Sequence, residues 1–148
     1  MRLPEWTPRS DSDQRRQSAI AIAESALAAR KNIVPAHLRE ILSIAVWKFT
    51  ECDGKYSTRF RSERSLFSAS SDIHHEHVIP RREIVERMLA DPKRVGEILS
   101  EAIGCVVLRP EHRALALVEK ENPKLSGWDR YRAAQIPVWD LQDGVRIV

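Results

Sequence analysis

The stretch His74-His75-Glu76-His77-Val78-Ile79-Pro80 constrains this chain more than any other. Three histidines and a carboxylate fill four consecutive positions, and two β-branched residues and a proline follow. Packing does not explain such a cluster, because histidine is an intermediate or exposed residue and glutamate is almost never buried without a partner. The segment from Ile73 to Ile79 reads as a strand that Pro80 ends, since proline cannot donate to a ladder. Imidazole and carboxylate together can hold a divalent metal and supply a general base. A second piece lies downstream. Cys105-Val106-Val107-Leu108 reads as a short buried strand, and Arg109-Pro110-Glu111-His112 opens a helix that runs to about Lys120. The order is a strand with Glu-His, a second strand, then a helix with His.

At 148 residues the chain suits one domain with a core of its own. Residues 1–54 read as a helical scaffold. Ser12 or Asp13 can cap a helix to about Arg30, with Ala19, Ile20, Ala23, Ala26 and Leu27 on one face. Pro35 suits the first turn of a second helix. Its stripe is Leu38, Ile41, Leu42, Ala45, Val46 and Phe49, and Gly54 reads as its C-terminal glycine. His37 reads as a surface residue. Before the scaffold helices, residues 1–11 read as poorly ordered apart from Trp6. Residues 55–71 turn polar and basic and read as a loop. Within residues 72–120 a helix over Glu83–Ala90 and another opened by Asp91-Pro92 and closed by Gly104 are inserted between the two strands. In the extension 121–148, Ser126 and Asp129 resemble a capping box before Trp128 and Tyr131. Pro137–Leu141 and Val145–Val148, separated by Gln142-Asp143-Gly144, read as a hairpin.

On these residues the chain resembles the HNH (His-Me finger) endonuclease family. Glu76-His77-Val78-Ile79-Pro80 is similar to that family's first motif, and His112 to its last histidine; the likeness spans residues 72 to 120. The family's middle asparagine has no counterpart, since Asn32 and Asn122 are the only asparagines and neither precedes the last helix closely. The resemblance implies an α+β fold: a mostly helical single domain around a small two-stranded ββα-metal unit with a helical insertion between the strands. It implies a metal-dependent endonuclease, a hydrolase of phosphodiester bonds with DNA the expected substrate and RNA the alternative. It assigns His77 as general base and Glu76 and His112 as ligands of one divalent metal ion, Mg²⁺, Mn²⁺ or Zn²⁺. His75 shares a face with His77 on an ideal strand and is the further ligand candidate. His74 reads as exposed.

Phosphodiester hydrolysis needs a base for water, a cation for the developing charge and donors that hold the backbone. The net charge is only +3, so distribution matters more than the sum. Lys55, Arg59, Arg61 and Arg64 crowd one short stretch, and Arg81 and Arg82 follow the cluster directly. Such a basic surface suits a phosphate backbone. Trp128 and Tyr131, beside Arg130 and Arg132, are candidates for base stacking. Two other readings remain open: a nucleic-acid-binding protein that keeps the fold without the chemistry, and a metal-stabilised protein-interaction module. Cys52 and Cys105 lack paired spacing, which excludes a four-cysteine zinc site and fits a reducing cytoplasm. No apolar run approaches the roughly 20 residues of a membrane span, so a cytoplasmic protein is expected.

Overall fold

Small residues let the first two helices approach closely. In the computed structural model, which describes residues 1–148, α1 (Ser12–Ala28) buries Ala19, Ala23, Ala26 and Leu27. They pack against Leu38, Leu42, Ala45, Val46 and Phe49 of α2 (Pro35–Thr50). The spacing of that second set, i, i+4, i+7, i+8 and i+11, puts all five on one helical face. Two further helices close this core. They are α3 (Arg81–Ala90), with Ile84, Val85 and Met88 inward, and α4 (Val95–Ser100), with Val95, Ile98 and Leu99 inward. A 3₁₀ turn over Pro92–Arg94 joins them.

Five strands form one mixed sheet. They are β1 (Phe60–Ser62), β2 (Ile73–His77), β3 (Gly104–Leu108), β4 (Val138–Asp140) and β5 (Val145–Arg146). Their spatial order is β2-β3-β1-β4-β5, so β2 is an edge strand. β3 pairs antiparallel with β2 and parallel with β1, and the β1–β4 and β4–β5 pairs are antiparallel. The register sets Glu76 opposite Cys105, His75 opposite Val106 and His74 opposite Val107. Cross-strand partners share a face. His74 and Glu76 therefore look toward α5 (Arg109–Glu121) and α6 (Trp128–Ala133), while His75 and His77 look toward α2. Cys105, Val107, Leu115, Tyr131, Ile136 and Val138 make a second core beneath α5 and α6.

The α+β class expected from the sequence stands, but the expected two-stranded unit and the C-terminal hairpin are joined through β1 into one five-stranded sheet. The segment 55–71 read as a loop contains β1, and a three-residue strand leaves too short a pattern to see. It exists because β3 and β4 supply ladder partners on both of its sides. The C-terminal hairpin is present as β4–β5. Several local expectations need correction. α1 ends at Ala28, and a separate 3₁₀ turn covers Arg30–Asn32. Gly54, with φ 104°, does not end α2; it closes the next turn through its N–H on the Glu51 carbonyl at 2.8 Å. Gly104 is the first residue of β3. Ser126 does not cap α6: Gly127 holds that place with φ 65°, and the Ser126 hydroxyl donates to Glu83 Oε2 at 2.7 Å. Trp6 anchors the N-terminal segment by donating Nε1–H to the Ser57 carbonyl at 2.8 Å.

Candidate functional site

Helix α5 begins where β3 ends, and this junction delivers His112. Pro110 occupies the first turn, where its missing N–H is no loss. The buried Glu111 carboxylate turns back to accept the Leu108 N–H at 2.8 Å and the Ser62 hydroxyl at 2.6 Å. This cap fixes the angle of α5 and sets His112 over β2. His112 Nδ1 lies 2.5 Å from Glu76 Oε2, and the His74 ring stacks on His112 at 3.8 Å between centroids. Potential ligand atoms of His74, Glu76 and His112 all lie within 4.8 Å of one another. Two ligands of one ion at ~2.0–2.1 Å stand at most about 4.2 Å apart. A small side-chain adjustment thus closes the set, and these three residues could hold a metal ion. His112 is 40 % exposed at its side chain, which leaves room for further ligands.

Arg130 of α6 supports this group from beneath. It is 1 % exposed, and one of its terminal nitrogens, Nη1, donates to the His77 and Val78 carbonyls at 3.0 and 3.1 Å. The other, Nη2, lies 3.5 Å from Glu76 Oε1 and 3.6 Å from Glu119 Oε2. The arginine therefore ties the end of β2 to the carboxylate that the strand presents.

The other face of β2 is different. His75 and His77 are buried against Trp47, with ring centroids 5.1 and 4.5 Å from it. His77 Nε2 lies 2.9 Å from Thr50 Oγ1, and His75 Nδ1 donates to the Lys55 carbonyl at 2.6 Å. Burial in this apolar setting disfavours the charged imidazole. It lowers the pKa of His75 and pushes that of His77 down to about 2. His74 is also lowered, first by burial and then by the neighbouring His112.

A stability prediction follows from the sign of these shifts. A histidine is ordinarily half protonated near ~6.5 in the unfolded chain. Both buried histidines stay neutral in the fold below that pH, so only the unfolded state takes up their protons. For His77 that stability is complete above ~6.5 and lost as pH falls from there toward 2, by up to about 1.4 kcal/mol per pH unit, and His75 acts in the same direction. Urea unfolding between pH 7 and 5 checks this. His77→Gln should flatten the acid slope, and an unchanged slope would contradict the burial assignment.

A cavity of about 240 Å³ wraps the free edge of β2, lined from one side by Glu76 and His112 and from the other by Trp47 and His77. Arg81 and Arg82 stand at its rim. Arg81 lies 4.9 Å over the Trp47 ring and donates to Ser43 Oγ at 2.9 Å, and Arg82 pairs with Glu119 at 3.0 Å. Lys55 is near, its Nζ 6.0 Å from the Trp47 ring. The other basic candidates stand apart. Arg59 is neutralised by Asp140 and Asp143, Arg61 is half-buried with a bond to the Ser65 carbonyl, and Arg64 is exposed away from the cavity. Tyr131 lies inside the second core, and the half-buried Trp128 packs on it from the edge.

The structure thus groups Glu76 and His112 with His74, and sets His75 and His77 on the reverse face. Strand alternation alone puts His74 beside Glu76, because residues two apart share a face. Arg130 and Thr50 carry no such signal, since they lie 54 and 27 residues from their partners in β2. Comparison with protein-family models, with curated proteins and with solved structures returned no match. No helix is long and apolar enough to cross a membrane.

Proposed function

We propose that this chain is a metal-dependent endonuclease of the HNH kind that hydrolyses phosphodiester bonds in DNA. The observation that carries the reading is the convergence of two imidazoles and a carboxylate beside the arginine-rimmed cavity at the edge of β2. β2, β3 and α5 supply the strand, strand and helix order of a ββα-metal unit, with α3 and α4 as the insertion. A divalent cation, Mg²⁺, Mn²⁺ or Zn²⁺, on His74, Glu76 and His112 would polarise a phosphate oxygen and stabilise the leaving group. Arg81 and Arg82 hold the backbone phosphates flanking the scissile bond, with Lys55 behind them. Arg130 orients Glu76. His77 takes the proton of the attacking water.

One observation favours a second reading, a protein that binds nucleic acid without cutting it. His77 is 6 % exposed, burial holds its pKa at about 2, far below that of an effective general base, and its Nε2 already has a partner, so only one weakly basic ring nitrogen is left for chemistry. Asn32 and Asn122, in the 3₁₀ turn after α1 and at the end of α5, also lie outside the site.

Plasmid nicking with Mg²⁺, Mn²⁺, Zn²⁺ or Ni²⁺ separates the readings. Cleavage should require metal, and Glu76→Ala should abolish it. DNA binding should weaken steeply with salt, and Arg81→Ala or Arg82→Ala should each reduce the slope of log K against log salt by about 0.9. Salt-steep binding without cleavage in any metal would leave the binding reading. No binding to DNA or RNA would remove both.

A further inference from the structure

Thr50 of α2 sits between two imidazoles of β2. Its Oγ1 lies 2.9 Å from His77 Nε2, 3.2 Å from His75 Nε2 and 3.3 Å from the Trp47 carbonyl. A hydroxyl has one proton to donate, and the surroundings decide where it goes. The Lys55 carbonyl can only accept, so His75 carries its proton on Nδ1. His75 is 1 % exposed and touches no carboxylate, so its ring is neutral and its Nε2 is an acceptor. The Trp47 carbonyl, at 3.3 Å the longest of the three contacts, is already satisfied by the Glu51 N–H at 2.9 Å, whereas the buried His75 Nε2 has no donor but Thr50. The hydroxyl proton therefore goes to His75 Nε2. This leaves the Thr50 oxygen as an acceptor, and His77 Nε2 must be the donor. The lone pair of His77 is then on Nδ1, which has no hydrogen-bond partner in the protein, while the residue lines the cavity.

The fold makes room for this chain of bonds. Gly104 faces His77 across the ladder, and a Cβ there would lie 2.6 Å from His75 Cε1 and 2.7 Å from its Nε2. No other residue at 104 lets the His75 ring stand where Thr50 reaches it.

We propose that Thr50 and His75 are positioning residues that lock His77 in the Nε2–H tautomer and present its Nδ1 to the cavity as a proton acceptor. The chemical meaning rests on the endonuclease reading. A water O–H breaks, its proton moves to His77 Nδ1, the hydroxide bonds to phosphorus, and the leaving oxygen departs with a proton from solvent. The tautomer itself does not depend on that reaction.

Long-range ¹H–¹⁵N correlation of the imidazoles in the metal-free, ¹⁵N-labelled protein near pH ~7.5, above the ordinary histidine range, tests it. His75 should be protonated on Nδ1 and His77 on Nε2. Thr50→Val should shift the His77 nitrogens toward a mixture of tautomers, and Thr50→Ser should keep the wild-type pattern. Gly104→Ala should displace the His75 ring and loosen His77 in the same way. In plasmid cleavage with Mn²⁺, Thr50→Val should lower kcat about tenfold or more at unchanged KM, as loss of an orienting partner does, and Thr50→Ser should restore it. A wild-type His77 protonated on Nδ1 overturns the proposal, as does a Thr50→Val protein with unaltered tautomer and kcat. The expected tautomers in a protein that cuts nothing would sink the endonuclease reading and leave the assignment of Thr50 and His75 standing.

Discussion

Arg130→Ala should destabilise the fold by about 3–5 kcal/mol, the usual loss when one partner of a buried charged network is removed. The guanidinium is 1 % exposed and serves four acceptors at once: two carbonyls at the end of β2 and the carboxylates of Glu76 and Glu119. Without it the His77 carbonyl loses a donor, and Glu76 faces Glu119 with no cation between them. A domain of this size has only about 5–15 kcal/mol to lose, so the melting temperature should fall by roughly 10 °C. Arg132 on the same helix is the control. It is exposed and pairs with Asp129 at 2.9 Å one turn away, a contact worth about 0.5 kcal/mol or less. Equal melting temperatures for Arg130→Ala and Arg132→Ala would show that the buried network does not hold β2 in place.

Divalent metal should raise the melting temperature of the wild type and should not raise that of His112→Ala. A ligand that binds only the folded state stabilises it by about 2.7 kcal/mol at one hundred times its Kd. His112 is the cleaner test among the three ligand candidates, because Glu76→Ala also strips Arg130 of a partner and confounds the reading with destabilisation. His74→Ala should behave like His112→Ala, since the two rings stack and flank the same carboxylate. His75→Ala should keep the metal response, because its ring lies on the α2 face. Metal-dependent cleavage, where it occurs, should drop by at least about 100-fold in His112→Ala. A metal response that survives in His112→Ala and disappears in His75→Ala would move the site to the other face of the strand.

The two faces of β2 show how far sequence reasoning reaches. The apolar stripe of α2 was plain because the twelve residues from Leu38 to Phe49 keep a helical period, whereas that of α1 rests on the nine from Ala19 to Leu27. β2 was announced by Pro80 beyond it, although the ladder ends at His77 and not at Ile79, and the C-terminal hairpin by Gln142-Asp143-Gly144 between two short apolar runs. β1 was not, because three residues among serines and arginines carry no period, and only the ladders of β3 and β4 make them a strand. The basic residues illustrate a second limit. Composition put Arg59 beside the cluster, yet Asp140, distant in sequence, neutralises it.

By itself the sequence determined that Glu76 and His77 are adjacent, that a strand carries them, and that a helix opened by Pro110 carries His112. Those are local facts, set by propensity, periodicity and proline's missing donor. The tertiary structure alone decided the company each side chain keeps. The β2–β3 register turns Glu76 toward α5 and His77 toward α2, the Glu111 cap aims α5 so that His112 meets Glu76, and Arg130 and Thr50 arrive from α6 and α2. Adjacent residues of a strand must diverge, so the partners of this cluster could come only from elements distant in the chain.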